Sequence, residues 1–168
     1  EEYSETICSV DPSGRGTDET AAAFLSQRNG FIYLHEIKAF RDGYSDKTLL
    51  SILDGCKKYG VTKLVIETNF GDGIVSELFR KHLINRRQPV DIEEVRANVR
   101  KEDRIIDSLE PVLNQHRLVV DRSVVEWDYK SNPDAAPEER LIYMLFYQMS
   151  RMCREKGAIK HDDRLDCL

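Results

Sequence analysis

The side chains best suited to chemistry in this chain are Asp11, Glu67 and the acids of His161-Asp162-Asp163-Arg164-Leu165-Asp166. Asp11 closes the apolar run Thr6-Ile7-Cys8-Ser9-Val10, Glu67 closes Leu64-Val65-Ile66, and a glycine-containing loop follows each. A carboxylate just beyond a buried strand is costly unless positive charge sits beside it. Strand C-terminal ends are also where open α/β sheets place their sites. Acids brought there from three distant segments form an all-oxygen cage, the donor set that hard divalent cations take. Such a cage suits hydrolysis of a phosphodiester.

Each acid also has a structural explanation. An Asp before a turn accepts hydrogen bonds from its own backbone, and Glu67 can cap the helix after it. Their joint placement on strands expected to pair favours a shared ion. Within the acidic run, one Asp at a helix start is an ordinary N-cap that suits the helix dipole. Asp163 and Asp166 stand three apart, hence on one helical face. Arg164 offers them an ion-pair network as the alternative to ligand duty.

Other polar features are less specific. Gly14-Arg15-Gly16 and Gly71-Asp72-Gly73 match neither G-x-x-x-x-G-K-[ST] nor G-x-G-x-x-G, so turn formation is their default reading. Beside the two acids, they would still let a polymer backbone come close. Lys81, Arg86, Arg87, Arg96, Arg100, Lys101 and Arg104 face five acids between positions 81 and 104. Arg151, Arg154, Lys156 and Lys160 lie just ahead of the Asp run, opposed by Glu155. Solvated helix faces explain such runs, and phosphate contact requires them on the rim of the carboxylate site. His35, His82 and His116 show no ligand or triad spacing.

The elements that must position the acids can be read from periodicity. Strands are expected at Thr6–Val10, Thr20–Leu25 and Phe31–Ala39, the last two joined by the hairpin signal Arg28-Asn29-Gly30. Leu49, Ile52, Leu53 and Cys56 give a helix over Ser45–Tyr59. Val61–Glu67 reads as a strand buried on both faces, followed by a helix over Ile74–Leu83 and a strand over Val90–Val95. Ile105, Leu109, Val112 and Leu113 mark a helix that Pro111 must bend or whose last part it must start. Leu118–Val120 is a short strand, Asn132–Pro137 a loop, and one helix is expected over Glu138–Glu155 with Gly157 as its cap. A last helix starts near His161 and includes Leu168. The order predicts a mixed α/β sheet, with Lys63–Glu67 laid parallel to the first strand by a right-handed crossover. Asp11 and Glu67 then end side by side.

At 168 residues, 40% hydrophobic and 33% charged, the chain suits one domain with a real core. A net charge of −5 excludes a whole-molecule attraction to nucleic acid, so any DNA contact needs a local basic face. Cys8, Cys56, Cys153 and Cys167 form no C-x-x-C pair and read as buried free thiols of a reducing compartment. No stretch approaches the roughly 18 apolar residues that span a bilayer. The chain lacks an initiator Met and reads as one domain, residues 1–168, of a longer protein.

Five segments together resemble the C-terminal nuclease domain of the large terminase subunit of tailed phages, short-tailed ones above all. They are Asp11-Pro-Ser-Gly-Arg-Gly-Thr-Asp-Glu-Thr20, Phe40-Arg-Asp-Gly-Tyr-Ser-Asp-Lys-Thr48, Glu67-Thr-Asn-Phe-Gly-Asp-Gly73, Lys101-Glu-Asp-Arg-Ile105 and His161-Asp-Asp-Arg-Leu-Asp166. The resemblance implies a ribonuclease H-like fold: an antiparallel trio of strands, then parallel fourth and fifth strands, flanked by helices. It implies a metal-dependent endodeoxyribonuclease that cuts concatemeric phage DNA during packaging, using two Mg²⁺ or Mn²⁺ ions about 3.5–4 Å apart. Asp11, Glu67 and Asp163 are the implied metal-binding catalytic acids, with Asp166 as a fourth ligand. Asp162 is the alternative, since adjacent aspartates cannot be put in register from sequence. Lys101 and Arg104 match a basic motif of the family, which implies that they approach DNA or support the site; Arg100 and Lys160, from the basic runs, complete the expected DNA contacts. Further implied are double-stranded DNA as substrate, an ATPase motor N-terminal in the same chain, the portal and the small terminase subunit as partners, and the host cytoplasm as location. No Walker A motif occurs in these 168 residues. Two other classes compete: a nucleotide-binding domain of the actin and sugar-kinase type, and a DNA docking module that does not cut.

Overall fold

Alternating side chains give the first strand two faces, and helices cover both. The computed structural model describes residues 2–13, 18–68, 73–96, 99–132, 135–157, 159 and 161–168. The turn Gly14-Arg15-Gly16, residues 69–72 and Lys160 lie outside the described residues. In β1 (Glu5–Asp11), Thr6, Cys8 and Val10 are buried, alternating with the half-buried Ile7, Ser9 and Asp11. β2 (Thr20–Arg28) and β3 (Phe31–Phe40) continue antiparallel. Their turn holds Asn29 and Gly30 at φ of 50° and 79°, the sense that matches strand twist. α1 (Asp46–Tyr59) opens at Ser45, whose hydroxyl accepts the Thr48 N–H, and closes at Gly60 in the left-handed region.

β4 (Lys63–Glu67), α2 (Ile74–Arg86), β5 (Asp91–Val95), α3 (Lys101–Asn114) and β6 (Leu118–Val120) follow. The sheet order is β5-β4-β1-β2-β3-β6. β4 lies parallel to both β1 and β5, and β6 parallel to β3. The mixed sheet expected from the sequence, and the pairing of the two acid-bearing strands, are therefore observed.

α1 and α2 cover one face, where Leu49, Ile52, Leu53 and Phe79 pack on Val10, Phe24, Leu64 and Ile66. The other face carries α3, α4 (Arg122–Lys130), α6 (Leu145–Arg151) and α7 (Asp163–Asp166). There Ile105, Val124, Leu145 and Leu165 pack on Ala21, Ala23, Leu25 and Leu34. The small side chains of Ala21, Ala22 and Ala23, fully buried in the central strand, let helices approach from both sides. No helix among the described residues is long and apolar enough to cross a membrane.

Five expectations need correction. The single helix over Glu138–Glu155 is two, α5 (Pro137–Leu141) and α6, because the buried Asp128 carboxylate accepts the N–H groups of Leu145 and Phe146 and starts a new helix there. Gly157 consequently caps neither, although it does adopt a φ of 70°. α4 itself was not expected: buried Asp128 interrupts the apolar spacing of Val124 and its neighbours. The last helix is one turn of four residues, closed by Cys167. Cys153 is exposed, whereas Cys8, Cys56 and Cys167 are buried thiols.

Candidate metal centre

Strand register sets the first two acids. Ser9 pairs with Val65 and Val10 with Ile66, so Asp11 and Glu67 leave adjacent parallel strands on the same face. α7 packs over that face against β1, β2 and α3. It delivers Asp166, whose side chain is 1% exposed. One carboxylate oxygen from each of Asp11, Glu67 and Asp166 lies within 4.8 Å of the others.

Two cations from α3 hold this group together. Lys101 Nζ stands 2.7 Å from Asp162 Oδ1, 3.0 Å from Asp166 Oδ2 and 3.7 Å from Asp11 Oδ2. Arg104 Nη2 donates to Glu67 Oε2 at 3.0 Å and Asp166 Oδ1 at 2.8 Å. Burial alone would lower both basic groups, yet the carboxylates outweigh it and hold each above its ordinary value. Burial pushes the Asp11 carboxyl up to about 7; Lys101 opposes the rise, while Asp166, Glu67 and Asp163 add to it. Asp166 is raised too, chiefly by burial.

Asp163 belongs to a neighbouring group. Its Oδ2 accepts the backbone N–H of Glu19 at 3.0 Å. It lies within 4.8 Å of ligand atoms on Asp18 and His161. Burial lifts its carboxyl to about 6, against that hydrogen bond and Lys101. So α7 turns Asp166 toward Asp11 and Glu67, and Asp163 toward the start of β2. Asp162 stands at the rim on Lys101. Arg100 is turned to the carbonyl of Arg154 and the carboxylates of Glu102 and Asp103. The grouping of Asp18 with His161 had no counterpart in the sequence reading. Asp18 does fall within the turn-rich stretch after Asp11, but separation along the chain hides the contact.

The donor chemistry fits a hard divalent cation. All three grouped ligands are carboxylates, and the buried Asp166 Oδ2 has the Lys101 ammonium at 3.0 Å as its partner. A carboxylate oxygen has two lone pairs, so one ion-paired to a single ammonium has capacity left for a metal.

Comparison with known proteins gives consistent relatives. Residues 10–118 match the family model described as Terminase Bacteriophage T7, Ribonuclease H-like domain. The chain is 48% identical over 165 residues to the terminase large subunit of Enterobacteria phage T3, covering 98% of the chain and 28% of that protein. Among solved structures, the manganese-soaked human cytomegalovirus terminase nuclease domain superposes with a TM-score of 0.62 at 12% identity, covering 98% of this chain and 80% of that one. The large terminase nuclease from thermophilic phage G20c gives 0.58 at 12% identity, covering 97% and 78%. At such identities the structures establish a shared ribonuclease H-like fold. The chain thus spans little more than a quarter of the T3 relative's length, 28%.

Proposed function

The chain belongs to the ribonuclease H-like domain family of the phage T7 terminase, and on that premise we propose that it is a metal-dependent endodeoxyribonuclease cutting concatemeric phage DNA during packaging. The observation that carries this reading is the meeting of Asp11, Glu67 and Asp166 oxygens within 4.8 Å, at the ends of two paired strands and on α7. Asp11, Glu67 and Asp166 would hold the cations, with Asp163 on the β2 side and Asp162 at the rim. When bound, two Mg²⁺ or Mn²⁺ ions supply a lower pKa for the attacking water and charge neutralisation at the leaving oxygen.

The remaining work falls to the chain itself. Its acids serve as ionised ligands and not as proton donors, so Asp11 must lose its proton before the site is competent. Lys101 and Arg104 offset the mutual repulsion of the carboxylates and keep the pocket assembled in the metal-free protein. Once that neutralisation passes to bound metal ions, Lys101 and Arg104 would be released to the phosphates that flank the scissile bond, and Arg100 and Lys160 are further DNA contacts of this reading. The products carry 5′-phosphate and 3′-hydroxyl ends. Residues 1–168 act as one nuclease domain beside an N-terminal ATPase motor in the same polypeptide. The portal and the small terminase subunit are its partners in the host cytoplasm. The 28% share of the T3 relative leaves room for such a motor.

Plasmid cleavage tests the reading. Wild-type protein with Mn²⁺ should nick or linearise supercoiled DNA, and Glu67→Gln should lose cutting while keeping its circular dichroism spectrum. Cutting by Glu67→Gln at the wild-type rate removes the metal centre from the mechanism. Thermal stabilisation by ATP without cutting supports the nucleotide-binding class instead, and salt-sensitive DNA binding without cutting in any metal supports the docking class.

A further inference from the structure

The guanidinium of Arg164, between the two α7 acids, is almost wholly buried, with a side chain 1% exposed. Its Nε and Nη2 donate to the two Glu19 oxygens at 2.9 and 3.2 Å. Its Nη1 donates to Asp128 Oδ1 at 2.9 Å and Ser131 Oγ at 2.8 Å. The Trp127 ring lies 4.8 Å from its central carbon. Glu19 and Asp128 are as buried as the cation they face, at 3% and 0%.

Each partner of Arg164 also holds something else. Glu19 donates its backbone N–H to Asp163 Oδ2 at 3.0 Å. Asp128 accepts from the first N–H groups of α6, at Leu145 and Phe146. From α6, Gln148 Oε1 accepts the Leu165 N–H at 3.1 Å. One guanidinium therefore ties the start of β2, α4 and α6 to a helix of four residues. A single turn cannot hold its own conformation in water. Buried ionic clusters are also poor stabilisers beside apolar packing of the same volume, and their better-attested use is to specify one arrangement.

We infer that Arg164 is a positioning residue of the metal centre: through Glu19 and Asp128 it fixes where α7 presents Asp166 to Asp11 and Glu67, and Asp163 to the neighbouring group at the start of β2. This rests on the metal-centre reading above. The planar fork is what the task requires, because it bonds Glu19 with two donors while still reaching Asp128. A lysine keeps the charge and serves only one of them well. Outer-shell partners of this kind commonly change metal affinity more than they change the chemistry of a saturated site.

The test compares wild type, Arg164→Lys and a control, Phe79→Leu, which loosens the core on the opposite face of the sheet. Mn²⁺ binding is measured without DNA, by the electron paramagnetic resonance signal of free Mn²⁺, and cleavage is then titrated with Mn²⁺. Arg164→Lys should weaken Mn²⁺ binding roughly 10-fold or more and raise the half-saturating Mn²⁺ for cleavage in parallel, with most of the rate recovered at saturation. Phe79→Leu should lower the melting temperature and leave Mn²⁺ binding unchanged. Should Arg164→Lys fail to fold, Glu19→Gln carries the same test, since it keeps the side-chain shape and the backbone N–H and loses the charge that pins the fork. Wild-type Mn²⁺ affinity in the folded variant overturns the inference, as does an equal loss in Phe79→Leu. A wild type that binds Mn²⁺ without cutting refutes the nuclease reading and leaves positioning to be judged from the binding curves. A wild type that binds no Mn²⁺ overturns both.

Discussion

Asp11 makes the metal-free protein sensitive to pH. Burial is the main cause of its rise to about 7; Lys101 pulls against it, and Asp166, Glu67 and Asp163 add to it. Between the unfolded value near 4 and about 7, the folded state binds more protons than the unfolded state. Stability therefore falls as pH rises through that window, and the full penalty is present above it. A shift of this size is worth at most about 4 kcal/mol. Asp11→Asn in EDTA should accordingly gain about 1–4 kcal/mol at pH 8 and close to nothing at pH 4. Urea denaturation at the two pH values measures the difference, and an equal gain at both would contradict the buried-charge account. At this scale the sequence was readable where an acid ended a strand. Asp11 and Glu67 needed only the apolar runs before them and the pairing rule. The acids of α7 could not be put in register, because one turn splits Asp163 and Asp166 between two neighbouring groups. Lys101, expected to approach DNA or support the site, stands among Asp11, Asp162 and Asp166 in the metal-free protein. No periodicity reveals that a cation on one helix will point into acids on another.

Between elements, α1 depends on a close approach to the sheet. Gly55 lies against the Phe24 ring of β2, and a methyl at this position would overlap the ring carbons. Gly55→Ala would ordinarily favour a helix by about 1 kcal/mol. Here the overlap should dominate, with a net loss of about 1–3 kcal/mol. Chemical denaturation would show it, and a stabilised Gly55→Ala protein would mean that α1 sits farther from the sheet than described. The strongly periodic elements were the legible ones: α1 from Leu49, Ile52, Leu53 and Cys56, and β4 from its unbroken apolar run. The far half of the molecule was harder, since its helices are short and organised around buried polar groups. Asp128 spoils the apolar spacing of α4 and opens α6, so one residue concealed one helix and divided another.

Across the whole molecule, charge opposes the proposed substrate. The chain carries −5, and the face expected to meet DNA is a carboxylate cluster whose nearest cations are already engaged. On the proposed mechanism, metal binding would change both terms together, neutralising the acids and freeing Lys101 and Arg104 for phosphate oxygens. DNA affinity should therefore depend on a divalent ion even when no bond is cut. Ca²⁺, which takes oxygen ligands, allows this to be measured by fluorescence anisotropy on a short duplex. Binding should be tighter in Ca²⁺ than in EDTA. It should also be more salt-dependent, because each added phosphate contact contributes about 0.9 to the slope of log K against log salt. Lys101→Ala should lower the slope in Ca²⁺ by about 1 and leave the slope in EDTA almost unchanged, since its ammonium there faces carboxylates. Equal affinity and equal slope in the two buffers would mean that these cations never exchange carboxylate for phosphate, and the DNA path would then have to lie elsewhere on the surface.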